Sequence, residues 1–418
     1  MMGMLNVIKA KQKNEDEEGE KNILPYWQTQ IDVEPPIGPR CTACAFSNSA
    51  DMLAIGDDIG AVSILNPKTG AIIKKLGAVY RNDGGDNGRG IAMNVRWNPT
   101  ESKKNVFRVA LSTGVVEQWD AIKGTSSVTK SDFQEALALD YSPDGRQFAA
   151  GGVCKKDGAA PGEGNSVRIY SEGSSQLVRS LCGESGNPGH SNRITCIRFG
   201  SNTSLASGSM DGTVKLWSTG VTAPLFTIPG PDEGQTLDPS SIDYYEQHYL
   251  LIGSCRPYKH LSVYDLRMNK LVQEVSWQRQ KPKPPNTGQS PRAMGKWHVA
   301  KAAFTQKTNV QSLCFTDGGA RFVAGGTGSN TVKIFTKNVP PAYPVDEAAK
   351  PEGVALNYSP TACFTAPSGV VGVAVSPKPV IDFEGVEHKV IAVATAKGKA
   401  FGVLMPDKLP NYPEPVSM

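Results

Sequence analysis

The stretch from Gly189 to Trp217 constrains the fold more than any other part of the chain. Apolar residues recur with strand-like alternation in two runs, Ile194–Phe199 and Leu205–Ser209. The dipeptide Asp211-Gly212 follows, and then a third run that ends at Trp217. Because glycine takes a positive φ without steric cost, Asp-Gly between two β-prone runs is a strong hairpin signal. The stretch therefore predicts a three-stranded antiparallel meander.

The same meander recurs seven times along the 418 residues, and the third run of each unit ends in a large apolar residue. These end residues are Leu65, Trp119, Tyr170, Trp217, Tyr264, Phe335 and Leu404. Successive units are 47 to 71 residues apart, which is longer than the ~40–45 residues of a compact repeat of this kind. The repeat predicts an all-β fold, a single seven-bladed β-propeller of four-stranded antiparallel blades.

A lone alternating segment, residues 27–33 with Trp27 and Ile31, precedes the first meander. We expect it to close the ring as an extra strand of the last blade, because closure removes two exposed sheet edges. We expect the blades at about 41–76, 91–128, 135–182, 190–228, 236–276, 308–345 and 369–407. Residues 1–21, which are basic and then acidic, are predicted to be a mobile tail, and 411–418 a second tail.

The Gly189–Trp217 stretch closely resembles a WD repeat. Gly189-His190 matches the Gly-His pair of that family, Asp211 its turn aspartate, and Trp217 the tryptophan that ends the third strand. The aspartate that usually follows this tryptophan is Ser218 here. The resemblance implies a buried hydrogen-bond chain, the structural tetrad His190, Ser207, Asp211 and Trp217.

These residues include Ser, His and Asp, so a catalytic triad is the alternative interpretation. We favour the structural interpretation, because Ser207 lies inside a predicted strand rather than on an exposed elbow. Cys41 and Cys44 form a lone Cys-x-x-Cys without a second ligand pair, and the five histidines form no metal motif. The sequence thus predicts no catalytic residues, no metal and no cofactor, and a protein that is not an enzyme.

The formal net charge of +4 does not by itself call for nucleic acid or a membrane as partner. No segment approaches the ~20 apolar residues that span a bilayer, and the first residues do not resemble a secretory signal. Eight scattered cysteines, several beside strand-like runs, are typical of a reducing compartment. We expect a cytoplasmic protein, with nuclear or cytoskeletal association left open.

Long inserts interrupt the repeats, and long loops on a rigid scaffold commonly carry binding residues. Four inserts are expected on one face of the propeller: 77–90, 153–165, 278–308 and 339–368. A fifth, 377–387, is expected on the opposite face.

The insert 278–308 carries seven basic residues and no acidic one. Its candidate partner-binding residues are Arg279, Lys281, Lys283, Arg292, Lys296 and Trp297. A concentrated positive field favours an acidic partner surface, either another protein, such as one with tubulin-like acidic tails, or nucleic acid. Aromatic residues are too sparse for a single-strand nucleic-acid platform, so a protein is the favoured partner. The alternative interpretation is a solvated linker.

The sequence Tyr264-Asp265-Leu266-Arg267 resembles a repeat end found in substrate receptors of cullin ubiquitin ligases. In those proteins the arginine contacts an adaptor on the face opposite the long loops, so the resemblance implies an adaptor contact for Asp265 and Arg267. The alternative is that Asp265 caps a turn and Arg267 is solvated.

The sequence as a whole predicts a non-catalytic protein–protein interaction scaffold that binds partners through long loops on one face. We expect it to be a subunit of a larger intracellular assembly, with a cytoskeletal assembly as one option. A ubiquitin-ligase substrate receptor is the first alternative, and a propeller-based hydrolase the second. Neither a membrane nor a small-molecule substrate is expected as partner.

Overall fold

Seven β-sheets stand around a central channel and form a closed ring. The computed structural model describes residues 21–23, 25–31, 40–77, 90–129, 133–154, 165–229, 239–256, 260–277, 308–337, 357–382 and 385–405. In each sheet the first strand lines the channel, and the following strands pair outwards in antiparallel fashion. The seven innermost strands contact one another in chain order, and the last contacts the first. The predicted all-β propeller is therefore confirmed.

Two strands precede the blades: β1 (Lys21–Asn22) and β2 (Pro25–Gln30). From the channel outwards, blade one contains β3 (Cys41–Phe46), β4 (Leu53–Asp57), β5 (Val62–Leu65) and β6 (Ile72–Leu76). Blade two contains β7 (Ala92–Trp97), β8 (Val106–Leu111), β9 (Val116–Asp120) and β10 (Ser126–Thr129). Blade three contains β11 (Phe133–Tyr141), β12 (Gln147–Cys154), β13 (Val167–Ser171) and β14 (Leu177–Leu181). A short hairpin, β15 (Gly183–Glu184) with β16 (Asn187–Pro188), then leads into blade four.

Blade four contains β17 (Ile194–Ser201), β18 (Ser204–Ser209), β19 (Val214–Ser218) and β20 (Pro224–Ile228). Blade five contains β21 (Pro239–Tyr245), β22 (Tyr249–Ser254), β23 (Leu261–Asp265) and β24 (Lys270–Val275). Blade six contains β25 (Asn309–Thr316), β26 (Arg321–Thr327), β27 (Thr331–Lys337) and β28 (Tyr358–Thr365). Blade seven contains β29 (Val370–Val375), β32 (Val390–Thr395) and β33 (Lys399–Leu404), with the hairpin β30 (Val380–Ile381) and β31 (Glu387–His388) inserted after β29.

The N-terminal strand β2 closes the ring by pairing antiparallel with β33 as the fourth strand of blade seven. Its bounds are 25–30 rather than the expected 27–33, and Val33 lies outside the described residues. Trp27 is buried against blade one, where its Nε1–H donates a hydrogen bond to the Pro67 carbonyl at 2.8 Å. The closing strand therefore connects both sides of the seam.

Blade six differs from the prediction in two respects. Its fourth strand is β28, so the expected blade end at 345 is wrong, and the segment 339–368 is not one continuous insert. A fifth strand, β1, pairs with β28 in parallel, Lys21 opposite Ala362, so the predicted tail does not extend to residue 21. Pro360 explains the first error, because a proline inside an apolar run argues against a strand. The structure accommodates it opposite Phe335, at a register shift in the ladder.

The strand order defines two faces of the propeller. We call the upper face the one that carries the second-to-third strand turns and the connections between blades, and the lower face the other. Because β27 and β28 are third and fourth strands, the segment between Lys337 and Tyr358 leaves from the lower face. The expected position of this insert on the upper face is therefore wrong.

Among the described residues, seven apolar clusters hold the ring together, and each lies at the seam between two neighbouring blades. Trp217, for example, is fully buried with Leu205 of its own blade and Ile169 of blade three. Burial of an aromatic or aliphatic side chain contributes ~1.5–3 kcal/mol, so each seam is stabilised by the apolar side chains that it buries. The blades are thus fixed in position relative to one another.

Candidate functional sites

The tetrad predicted for blade four lies at its upper edge, and the structure brings its four side chains together. His190 precedes β17, Ser207 is in β18, Asp211 is in the turn, and Trp217 is in β19. The His190 ring contacts Asp211 through Nδ1 (2.7 Å to Oδ2) and Ser207 through Nε2 (2.8 Å to Oγ). The Trp217 indole N–H donates to Ser207 Oγ at 2.7 Å. A neutral imidazole protonated at Nδ1 satisfies every donor and acceptor of this chain.

Asp211 accepts further hydrogen bonds from the backbone N–H of Ser191 (3.1 Å) and from both the N–H and the hydroxyl of Thr213 (3.0 and 2.7 Å). Burial alone would raise the pKa of its carboxyl, but the hydrogen bonds from His190 and Thr213 outweigh burial and lower that pKa to about 2. The carboxylate is thus held ionised as the hub of the turn.

Ser207 is fully buried in the middle of β18, and its hydroxyl already bonds Trp217 and His190. A nucleophilic serine has to reach a substrate from an exposed turn, which this position does not allow. The Ser-His-Asp arrangement therefore acts as an internal support that fixes the β18–β19 turn.

Asp265 and Arg267 lie on the lower face, where β23 ends. Asp265 accepts from the Arg267 backbone N–H at 2.9 Å and from its guanidinium at 3.1 and 2.7 Å. The guanidinium also donates to the Tyr249 hydroxyl at 2.6 Å and lies 5.1 Å from the centroid of that ring. The hydrogen bond with Asp265 raises the pKa of Arg267 and lowers that of Asp265. Asp265 thus caps the turn and orients Arg267, whose side chain remains 52% exposed.

Two stacked tyrosines extend this surface towards blade six. The rings of Tyr245 and Tyr249 are nearly parallel, with centroids 5.9 Å apart, and the Lys337 ammonium lies 5.7 Å from the Tyr245 centroid. We call Tyr245, Tyr249, Arg267 and Lys337 the lower-face patch. Gly319 makes the stacking possible, because it has a positive φ and a Cβ there would lie 2.3 Å from the Tyr245 ring.

One anion also belongs to the surroundings of this patch. Glu246 is exposed and accepts a hydrogen bond from the Tyr245 hydroxyl at 2.6 Å. Beneath the patch, Tyr358 is buried and donates its hydroxyl hydrogen bond to the Gly319 carbonyl at 2.5 Å, and its backbone is bonded to Gln273 of blade five. The patch therefore rests on a supported junction between two blades.

The channel contains a feature that was not predicted from the sequence, a row of alternating charges across blades two to five. Arg96 Nε lies 3.2 Å from Asp140, Arg198 Nη1 lies 3.3 Å from Asp140, and Arg198 Nε lies 2.8 Å from Asp243. Asp140 and Asp243 also accept backbone N–H bonds from Phe199 (2.8 Å) and Phe315 (2.7 Å) of the next blades. We call these four residues the channel ladder.

The ladder residues occupy the same position in successive blades, directly before an aromatic residue near the lower end of the innermost strand: Arg96-Trp97, Asp140-Tyr141, Arg198-Phe199 and Asp243-Tyr244. This recurring charged–aromatic dipeptide was the available signal in the sequence. The surrounding channel has a volume of about 1010 Å³ and is lined by all seven innermost strands. Since two cations and two anions alternate, the ladder ties blades together and leaves no net charge.

The remaining candidates give no further site. The basic-insert residues Arg279, Lys281, Lys283, Arg292, Lys296 and Trp297 lie outside the described residues. Cys41 and Cys44 are buried free thiols, and within the described ranges no three His, Cys, Asp or Glu side chains are grouped to hold a metal ion. In that same part of the chain, no helix is long and apolar enough to cross a membrane.

The family model for the WD domain, G-beta repeat, matches residues 175–218. This span covers the fourth strand of blade three and the first three strands of blade four, including the whole tetrad. A comparison with curated proteins finds no match. Together with the ring of seven blades, the matched repeat supports a WD-repeat β-propeller family for this chain.

Proposed function

We propose that this protein is a non-catalytic protein-interaction scaffold, a subunit of a larger intracellular assembly, and that it binds a partner protein through the lower-face patch. The patch itself is the observation that carries this proposal. It presents two stacked tyrosines and two cations on a rigid junction of blades five and six. Tyrosine and arginine are enriched at the energetic centres of protein interfaces.

The geometry also keeps the loss of side-chain entropy on partner binding small. Arg267 is already oriented by Asp265 and Tyr249, so little side-chain entropy is lost when a partner binds. A partner with carboxylates placed to meet Arg267 and Lys337, and with an apolar or aromatic group over the tyrosines, is the complementary surface. The eight cysteines are thiols and not disulfides, which supports an intracellular, reducing location.

The test compares partner capture from cells by three forms of the full chain: wild type, Tyr249→Ala/Arg267→Ala, and Met268→Ala. Met268 is 68% exposed beside Arg267 but does not belong to the patch, so it is the matched control. We expect proteins recovered with wild type and with Met268→Ala to fall at least tenfold with the double variant. Equal recovery by all three forms would refute binding through this patch.

A substrate receptor of a cullin-type ubiquitin ligase is the second candidate, and the exposed, pre-oriented Arg267 is the observation that favours it. This candidate predicts that an adaptor protein is among the partners and that Arg267→Ala alone removes it. An unchanged recovery of the adaptor, or its absence from the wild-type sample, would eliminate the candidate and leave the scaffold proposal standing.

The basic insert is a separate proposed contact with an acidic protein surface. Neutralising Lys281, Lys283, Arg292 and Lys296 together is expected to weaken partner binding and to flatten its salt dependence. If affinity and salt dependence match those of wild type, the insert does not take part in binding.

A further inference from the structure

The strand β1 gives a direction to the chain segment that precedes it. β1 pairs in parallel with β28, with Lys21 opposite Ala362 and Asn22 opposite Cys363. Following the chain backwards from Lys21 therefore leads along β28 towards Tyr358, the end of that strand on the lower face. Tyr358 is in turn opposite Lys337 in β27, so this direction leads to the lower-face patch.

The six residues before Lys21 are strongly acidic. They contain the five carboxylates Glu15, Asp16, Glu17, Glu18 and Glu20 and no basic residue. Lys21 lies opposite Ala362, which is four residues or about 13 Å along β28 from Tyr358, a distance that four extended residues cover. The line of β1 is two strand spacings, about 10 Å, from β27, a distance that extended lysine and glutamate side chains bridge together.

The patch offers these carboxylates suitable partners. The Lys337 ammonium lies over the Tyr245 ring, and among the described residues no carboxylate lies within ion-pair distance of it. Arg267 is paired with Asp265 but remains half exposed, and Lys270 on β24 is exposed nearby. Two carboxylates oppose these three cations, Asp265, which is paired with Arg267, and the exposed Glu246.

We propose that the acidic segment 15–20 docks in cis on the lower-face patch, with its carboxylates against Lys337 and Arg267. The segment covers the surface through which the proposed function operates, so it competes with an acidic partner for the same groups, and this consequence rests on the proposed function. The local concentration of a tethered segment is in the millimolar range. A partner therefore has to compete with the acidic segment at that concentration, or has to bind the acidic segment itself.

The first experiment is zero-length carbodiimide cross-linking of the full chain at low micromolar concentration, read out by mass spectrometry. We expect amide cross-links between Lys337 and carboxylates of residues 15–20, and their loss at 1 M salt, where the screening length is about 3 Å. Lys68, exposed on blade one, is the control lysine. Cross-links of Lys337 to Glu347 or Glu352 in place of 15–20, or to the acidic segment of a second, isotope-labelled copy, would overturn docking in cis.

The second experiment does not depend on cross-link formation. In a variant with all five carboxylates replaced by their amides, we expect Lys337 to be acetylated at least threefold faster than in wild type, and Lys68 at an unchanged rate. An equal rate for Lys337 in both proteins would refute the proposal. This failure is distinguishable from failure of the proposed function, because partner capture by Tyr249→Ala/Arg267→Ala is measured independently of the acidic segment.

Discussion

Asp211→Asn tests whether the tetrad stabilises blade four through the charge of Asp211. Asp211 accepts from the amides of Ser191 and Thr213, from the Thr213 hydroxyl, and pairs with His190. An asparagine keeps one acceptor oxygen and turns an NH₂ group towards donors. Hydrogen bonds to a charged group contribute about 1.5–3 kcal/mol each, so we expect a loss of about 2–3 kcal/mol after local relaxation.

The assay is hydrogen exchange at the Ser191 and Thr213 amides, which report on blade four even where a seven-bladed ring does not unfold in two states. A loss of 2–3 kcal/mol corresponds to exchange about 30- to 150-fold faster than in wild type at pH 5. Asp51→Asn, at an exposed position of blade one, is the control and should leave both amides unchanged.

The pH dependence gives the sharper test. The pKa of Asp211 is lowered in the folded protein from 3.8 to about 2, so its contribution is present above about pH 4 and is lost as pH falls towards 2. The full contribution, about 2.5 kcal/mol from linkage, is reduced to about 1.5 kcal/mol for solvent screening. The ratio of exchange rates between variant and wild type should therefore shrink about threefold from pH 5 to pH 3. A ratio that stays constant or grows would refute the assignment of this stability to the Asp211 charge.

Two further perturbations test the closure of the ring and the channel ladder. In Gly402→Ala, the new Cβ would lie 2.1 Å from Trp27 Nε1, so we expect a loss of about 2–3 kcal/mol and faster proteolysis near β2. Gly220→Ala is the control and should behave like wild type, because its Cβ would make only an ordinary van der Waals contact, 3.6 Å from Ser218 Oγ. Arg198→Leu leaves Asp243 without its cation and is expected to cost about 2–4 kcal/mol in urea denaturation. In the double variant Arg198→Leu/Asp243→Asn the losses should fall short of additivity by about 1–2 kcal/mol, and strict additivity would show that the two charges do not interact.

The sequence predicted those parts of the fold that depend on local patterns of neighbouring residues. Apolar alternation and turn dipeptides such as Asp211-Gly212 are set by a few neighbouring residues, so they identified the three inner strands of the blades. β28 was missed because Pro360 interrupts its run, and β1 because two polar residues, Lys21 and Asn22, carry no strand signal and pair only with a distant blade.

The functional sites also divide into those whose residues lie within one repeat and those that depend on contacts between blades. The tetrad was predictable because its four residues lie within one repeat, as the match to 175–218 illustrates. The channel ladder depends on contacts between blades that are 44 to 58 residues apart, such as Arg96 with Asp140 and Arg198 with Asp140. The buried pair Arg108–Glu172 is a similar case, since Arg108 is fully enclosed and its partner belongs to blade three. The recurring charged–aromatic dipeptide marks the ladder positions in the sequence, but a single sequence does not show which residues pair across blades.

The channel ladder occupies only part of the ring. Blades two to five contribute its four charges, whereas blades six, seven and one carry Cys314, Ala374 and Ala45 at the corresponding position. The charged blades are also consecutive in the chain, so all four groups have emerged from the ribosome before blade six has been made. An arc of four blades can therefore set its curvature by ion pairing early in synthesis, and the later blades are added to a template of fixed radius. The order of translation thus matches the order in which the blades would be assembled. The exception is β2, which is synthesised first but cannot pair until its partner strand β33 is complete.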